Sequence, residues 1–267
     1  MLGSIMPPSV TLRRVEIALF WGGLALTVLG AVMMAVPAAR FAPPAIVLGA
    51  GLAALGLNVL LGGDFIAGPR VRTYTARGQV VRGRAEIAAG LADVVLGGAP
   101  GDRVATVSFG PFGRPRIDVE EGMANVRLAA PKFPPTLARW RADLASNILW
   151  DLDARSTLGS LSLDLSELRL ERVSARTTLG GLRVVCPVTR GLTELELSST
   201  VGPVEVVIPE RVGAAITVAT GPFAAVRQKN ERLLAPGQRR YVTADYETAA
   251  SQVEIRITTS AGDVTLA

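Results

Sequence analysis

Apolar and polar residues alternate along most of this chain, and a small residue interrupts the alternation at intervals. In Leu195–Leu197 and Ile255–Ile257, for example, one polar residue separates two apolar ones. A period of two places apolar side chains on one face of a strand and polar side chains on the other. The C-terminal part of the chain, from about Tyr74, is therefore predicted to be all β, with no long helix.

The interruptions share one pattern of seven residues. A small residue is followed two positions later by Gly or Ala, and apolar residues occupy the fifth and seventh positions. The Gly or Ala residues of its seven copies are Ala92, Ala124, Gly159, Gly180, Gly202, Gly221 and Gly262. Recurrence at roughly 20 residues, with longer insertions, is typical of stacked repeats. A small residue inside a strand marks a bend or a close approach of two backbones. We therefore predict a repetitive β-solenoid-like domain, with an ordinary sandwich as the alternative.

Two apolar runs precede the repeats. They cover residues 15–36 and 45–61, and prolines and Arg40 lie between them. Runs of this length are typical of helices that cross about 30 Å of hydrocarbon. The sequence thus predicts a two-helix transmembrane hairpin; a secretory signal peptide and a buried helical hairpin are the alternatives.

These elements divide the chain into a hairpin at residues 1–66, an Arg-rich linker at 67–77 and the β-domain at 78–267. The arginines after the second run are Arg70, Arg72, Arg77, Arg82 and Arg84. Because Lys and Arg near spans stay on the inner side, we predict a multi-pass protein of the cytoplasmic membrane with its β-domain on the cytoplasmic side. The five arginines either fix this topology alone or also contact anionic lipid.

Composition narrows the possible chemistry. The chain has no histidine, one cysteine (Cys186) and a net charge of +5. The absence of histidine removes histidine triads and histidine metal sites, and a single cysteine excludes a disulfide framework or a thiolate cluster within one chain. No basic stretch has the interleaved aromatic residues that stack on bases. The sequence predicts no catalytic residue, no cofactor, no metal site and no nucleic-acid partner.

Carboxylates two residues apart are the remaining candidates for chemistry. They occur as Asp118 with Glu120 and as Glu194 with Glu196. Such a pair on one strand face can act as acid and base or hold a cation. The polar face of any half-buried strand has the same pattern, so we interpret both pairs as solvated surface.

The repeats and the C-terminal tail resemble the β-domain of LiaF-type cell-envelope stress regulators and their toast-rack relatives. In the tail, the residues that carry the likeness are Tyr241, Asp245-Tyr246, Ala249-Ala250, Val253-Glu-Ile255-Arg-Ile257 and Ala261-Gly262-Asp-Val264. The apolar segments before the repeats extend the likeness to essentially the whole chain. The resemblance implies a toast-rack fold without catalytic residues. It also implies a membrane protein that modulates signalling, often by inhibiting a partner sensor kinase.

Three functions follow from these observations. The first is a non-enzymatic, membrane-anchored regulator or scaffold that binds a protein such as a membrane sensor kinase. The second is an enzyme that uses surface carboxylates or a bound metal. The third is a structural module that forms homo-oligomers through open strand edges. We favour the first, because broad β faces suit protein recognition and the sequence contains no recognisable catalytic group.

Overall fold

The structure is a computed structural model that describes residues 22–32, 44–60, 70–74, 80–99, 103–109, 115–120, 122–129, 139–237 and 239–267. The chain divides into two units, Met1–Arg70 and Val71–Ala267. Among the described residues, helices occur only in the first unit, and the second is built from strands and turns. The prediction of a β-rich fold is confirmed.

The first unit contains helix α1, described over residues 22–32, and helix α2, Pro44–Leu60. The helices pack closely at glycines: a Cβ atom on Gly23 would lie 3.1 Å from the Gly51 carbonyl oxygen. Thr27 Oγ1 donates a hydrogen bond of 2.8 Å to the Gly23 carbonyl.

The predicted transmembrane hairpin needs correction. No helix among the described residues is long and apolar enough to cross a membrane. The 17 residues of α2 rise about 26 Å at 1.5 Å per residue, short of the hydrocarbon thickness of about 30 Å. This finding overturns the prediction of spans at 15–36 and 45–61 and of a multi-pass membrane location with a cytoplasmic β-domain. Parts of both runs, and residues 67–69 and 75–77 of the predicted linker, lie outside the described residues.

The second unit contains 19 described strands, numbered in chain order. They are β1 Arg70–Tyr74, β2 Arg82–Ala89, β3 Val94–Ala99, β4 Ala105–Phe109, β5 Arg116–Glu120, β6 Met123–Ala129, β7 Trp140–Ala145, β8 Leu149–Leu158, β9 Leu161–Asp164, β10 Arg169–Leu179, β11 Leu182–Val185, β12 Gly191–Val201, β13 Val204–Val207, β14 Val212–Phe223, β15 Val226–Gln228, β16 Leu233–Gly237, β17 Arg240–Thr243, β18 Ser251–Ala261 and β19 Val264–Leu266.

The strands form two large mixed sheets. Sheet 1 has the order β1-β4-β7-β3-β9-β11-β13-β19-β15, and sheet 2 has the order β16-β17-β14-β18-β12-β10-β8-β2-β6-β5. From β8 to β13 the chain alternates between the sheets: each long strand of sheet 2 bends into a short strand of sheet 1. We call one such pair of strands a rung. Successive rungs here pair in parallel and in register, as at Leu182 with Leu161 and with Val204.

Spatial order departs from chain order at both ends of the stack. Strand β2 lies between β6 and β8, so the first rung in sequence, β2 with β3, lies between the second and the third rungs of the stack. Strand β18 lies between β12 and β14, so the last rung inserts before the one that precedes it in sequence. The result is a continuous stack whose middle follows the chain and whose ends do not.

Aligned apolar rows fill the space between the sheets. One row in sheet 2 runs through Leu152, Val173, Leu195, Ile255 and Ile216, which occupy matching register positions and are buried. In sheet 1, Leu161, Leu182, Val204 and Val264 form a corresponding buried row. Each fully buried Leu, Ile or Val side chain stabilises the fold by roughly 1.5–3 kcal/mol relative to an exposed one.

A row of hydroxyl side chains lies at the end of this core, next to the bends. Its members are Ser156, Thr177, Ser199 and Thr259, all buried and matched in register. Ser199 Oγ donates to the Gly202 carbonyl at 3.2 Å, and Thr177 Oγ1 donates to the Gly159 carbonyl at 3.3 Å. Thr259 Oγ1 has no hydrogen-bond partner within the described part of the chain. Most of the row thus satisfies backbone carbonyls at the bends, and its last member does not.

Candidate protein-interaction surface

The repeat glycines meet at the bends between the two sheets. Backbone hydrogen bonds join consecutive bends, from Gly159 N to Leu179 O, from Gly180 N to Val201 O and from Gly202 N to Ala261 O. A Cβ atom on Gly180 would overlap the Gly159 carbonyl oxygen, and one on Gly202 would overlap that of Gly180. The same relation joins Gly159 to Ala92 and Gly262 to Gly202. At Gly180, φ is 146°, where a side chain is also strained.

Two of the seven repeat positions lie outside this ladder of bends. Ala124 is buried inside strand β6, where it pairs with Gly83 and Val119. Gly221 lies near the end of β14, beside a bulge, and a Cβ there would meet the Ser260 carbonyl oxygen. The structure therefore brings Ala92, Gly159, Gly180, Gly202 and Gly262 together and leaves the other two apart.

The five predicted arginines are dispersed. Arg70 and Arg72 belong to β1 at an edge of sheet 1, and Arg77 lies outside the described residues. Arg82 and Arg84 belong to β2, in the interior of sheet 2. Arg82 pairs with Glu171 across 3.4 Å. The described arginines are thus divided between two sheets and do not form one cluster.

The outer face of sheet 2 is a lattice of charged residues, as strand alternation requires. Five ion pairs between described residues cross or follow its strands: Arg82–Glu171, Arg127–Glu86, Arg155–Asp153, Arg172–Glu194 and Arg176–Glu196. Arg155 and Arg176 are directly opposite each other in the register, and their acidic partners offset this like-charge contact. The predicted Glu194/Glu196 pair is therefore engaged with two arginines. Exposed pairs of this kind contribute little stability, about 0–1 kcal/mol each.

At one edge of this face the three strands β5, β6 and β2 enclose a groove of about 410 Å³. Its charged and polar lining consists of Arg84, Glu86, Arg116, Asp118, Glu120, Asn125 and Arg127. Asn125 lies between Asp118 on β5 and Arg84 on β2 in the register. Because neighbouring strands are about 4.8 Å apart, the Asp118 and Arg84 columns are roughly 10 Å apart. The groove therefore has one wall on β5, with Asp118, Glu120 and Arg116, and one wall on β2, with Arg84 and Glu86. Asn125 and Arg127 on β6 lie between the two walls.

Four charges around the groove lack an ion-pair partner within the described part of the chain. They are Arg84 and Arg116, and Asp118 and Glu120. Arg127 and Glu86, which also line the groove, pair with each other at 2.8 Å. Sequence reasoning found Asp118 and Glu120 by their spacing but missed Arg116, Asn125 and Arg84 as their neighbours. Alternation places each residue on the outer face, whereas only strand pairing shows that they share a groove.

Away from the groove, burial raises the pKa of two described side chains, Cys186 and Tyr246. Burial raises the pKa of the Cys186 thiol to about 12, so it stays protonated near neutral pH. Burial also raises the pKa of Tyr246, and the neighbouring Glu254 adds to the effect. The described residues contain no group of three or more metal-ligating side chains. The arrangement of charges on the sheet can bind a complementary surface.

Comparison with known proteins gives a fold likeness only. No family model matches the chain, and no curated protein matches its sequence. A solved structure described as "a putative cell adhesion protein" from Clostridium sporogenes has a TM-score of 0.65 and 13% identity over 74% of this chain and 98% of that chain. A second, described as "a putative adhesin" from Bacteroides fragilis, aligns over 74% and 97% with 11% identity and a TM-score of 0.28. The first likeness shows that the chain shares a β-rich fold with that protein, whereas no matching model supports the LiaF-type family.

Proposed function

We propose that this chain is a non-enzymatic scaffolding or regulatory protein that acts by contact, and that a partner protein binds the groove formed by β5, β6 and β2. The observation that carries the proposal is the set of unpaired charges around one groove. Arg84 and Arg116 have no acidic partner among the described residues, while Asp118 and Glu120 have no basic one.

The charge pattern defines the partner's chemistry. A bound segment that places a basic side chain beside Asp118 and an acidic side chain beside Arg84 would satisfy both walls of the groove. Charge-assisted hydrogen bonds to Arg and to carboxylates are the stronger kind. Electrostatic complementarity of this sort contributes to specificity and to the rate of association more than to raw affinity. We therefore expect a mixed-charge protein segment rather than a nucleic acid or a uniformly acidic peptide.

Two similarities to known proteins support a function that depends on binding another protein or surface. The LiaF-type resemblance of the repeats implies a regulator of a sensor kinase in the cell-envelope stress response, and we propose a sensor kinase as the partner. The described role of the Clostridium sporogenes protein, cell adhesion, is likewise a contact function. Neither likeness supplies catalytic residues, so the groove remains the basis of the proposal.

Site-specific photo-crosslinking tests the groove directly. A photoreactive amino acid replaces Asn125 in the full chain, expressed in its own host. The matched control carries it at Thr258, which is exposed on β18 of the same sheet. We expect a discrete protein adduct at position 125 and none at 258. Equal adducts at both positions, or none at position 125, would overturn the groove as the binding site.

Charge reversal then connects binding with regulation. Arg84→Glu should reduce the adduct at position 125 at least tenfold and change basal envelope-stress expression as deletion of the chain does. Arg176→Glu is the control, because Arg176 lies on the same sheet face but outside the groove. If deletion leaves that expression unchanged, the regulatory proposal fails. If both variants behave alike, the groove is not specific.

A further inference from the structure

Apolar side chains project into solvent along the bends. Leu158, Leu179 and Val201 occupy the middle position of the motif, between the first small residue and the glycine, whereas Phe223 lies two residues after Gly221 and reaches the same row through a bulge in β14. Leu158, Leu179 and Val201 are 44%, 45% and 46% exposed, and Phe223 is 82% exposed. The register aligns them: Leu179 pairs with Leu158 and Val201, and Ala261 pairs with Val201 and Phe223. We call Leu158, Leu179, Val201, Ala261 and Phe223, together with half-buried Leu91, the bend stripe.

The bend stripe is a consequence of the glycine ladder. In β8, β10, β12 and β18, the buried hydroxyl residue lies two positions before the stripe residue, as Thr177 does before Leu179. Strand alternation would direct both side chains into the core. The turn at Gly180 ends the sheet there, so Leu179 extends past the core. The same geometry repeats at Leu158 and Val201, which makes the exposed row continuous across adjacent rungs.

The borders of the bend stripe are mostly uncharged. Thr157, Thr178, Thr200 and Ser260 precede its members, and Ser160, Gly181 and Pro203 follow them. Two aspartates lie nearby, and both are engaged. Asp93 accepts a hydrogen bond from Ser160 N, and Asp263 pairs with Arg227. Asp93 has no ion-pair partner among the described residues, and its hydrogen bond from Ser160 N offsets part of the cost of covering a charge there.

We propose that the bend stripe binds a second copy of this chain in a two-fold symmetric contact. The two-fold axis passes between Leu179 and Val201. Leu179 then faces Val201 of the other copy, the large Leu158 faces the small Ala261, and half-buried Leu91 faces the protruding Phe223. An isologous contact requires one patch to complement itself, and this order of sizes does so. The chain carries a net charge of +5, so copies repel least where they meet through a neutral surface.

The size of the stripe determines the strength of the contact. Six aligned positions at about 4.8 Å per strand extend roughly 25 Å, and the stripe is only one exposed side chain wide. Stable interfaces bury about 800 Å² per partner. The dimer is therefore a transient one, which forms and dissociates with protein concentration. The dimer proposal depends on the proposed contact function in one respect, since both treat the β-domain as a module that binds proteins.

Sedimentation of the full chain over a range of concentrations measures the contact. We expect reversible dimers for the wild-type chain and at least tenfold weaker dimerisation for Leu179→Asp. The control is Leu192→Asp, since Leu192 is 49% exposed at the opposite end of strand β12. A monomer at every concentration would overturn the proposal, and so would equal weakening by both variants.

Disulfide trapping tests the symmetry. A mixture of the Leu179→Cys and Val201→Cys chains should crosslink faster than either chain alone, because the proposed axis brings these two positions together. The native Cys186 is buried and serves as the background in every sample. Equal crosslinking in the mixture and in the single variants overturns the two-fold arrangement. Absence of crosslinks equally overturns the proposal. The adduct at position 125 is unaffected by Leu179→Asp, so the two proposals fail separately.

Discussion

The middle of the stack and its two ends are stabilised in different ways. Between β8 and β13, backbone packs on backbone at the bends, and a carbonyl oxygen occupies the place of each missing side chain. The same backbone contacts continue at Gly221 and Gly262, and at the ends side-chain contacts are added to them. Gly83 packs under the ring of Trp150 where the first end meets the middle, and Arg232 contacts Asp245 at the other end. The spacings of 21 and 22 residues that separate Gly159, Gly180 and Gly202 join adjacent rungs, whereas the rungs of Gly202 and Gly221 are 19 residues apart in sequence and have the last rung between them.

Breaking the backbone contact in the middle should have the largest effect. Gly180→Val places a side chain against the Gly159 carbonyl at a φ of 146°, and we expect a loss of about 3 kcal/mol in the free energy of unfolding. Urea denaturation measures it. The neighbouring Gly181→Ala is the control, because the nearest atoms lie 3.8 Å away; it should change stability by less than about 0.5 kcal/mol. Equal effects would show that the ladder imposes no steric limit.

The cost of adding a side chain at Gly83 should depend on the residue that it contacts, Trp150. Gly83→Ala forces a methyl group into the Trp150 ring and should cost about 2 kcal/mol. In a Trp150→Leu background this additional cost should fall below about 0.5 kcal/mol, which a double-mutant cycle would show. A cost that persists in that background would mean that Gly83 is required by the backbone, as in the middle of the stack.

Removing a buried hydroxyl should lower the stability of the fold in the middle of the stack and raise it at the end. Ser199→Ala removes a donor that satisfies the Gly202 carbonyl and should destabilise by about 1 kcal/mol. Thr259→Val removes a buried hydroxyl that has no partner in the described part of the chain and should stabilise by about 1 kcal/mol. Thermal or urea unfolding of both variants measures the difference. Destabilisation by Thr259→Val would contradict an unsatisfied group at that end.

Acid should lower the stability of the fold by protonating Asp245 at the β14 end of the stack. We expect this to be the smallest of the four predicted effects. Burial alone would raise its pKa, but hydrogen bonds from Thr243 and the backbone, together with Arg232, lower the pKa overall. A lowered folded pKa stabilises the fold above the unfolded value of about 4, and this contribution is lost as pH falls through the folded pKa. Asp245→Asn should therefore be less stable at pH 7 and lose less stability on acidification. Glu210→Gln, at an exposed position, should retain the wild-type pH dependence of the urea midpoint.

The alternation in the sequence determined the strands and their buried faces. Val173 and Ala175, for example, point inward because every second residue faces the core. The repeat glycines between Gly159 and Gly202 were also evident, since no side chain fits where two backbones cross. Both features depend on local sterics and on the burial of apolar surface, which act over a few residues and therefore leave a pattern in the chain.

Only the tertiary structure decided which strands are neighbours. Nothing near β2 in the sequence indicates that it inserts between β6 and β8, or that Arg84, Asn125 and Asp118 line one groove. The same holds for Gly83 and Trp150, whose contact depends on the pairing of β2 with β8. Such pairings join residues far apart in the chain. They are chosen by competition between whole arrangements of packed strands and loops, and no short sequence pattern records the result.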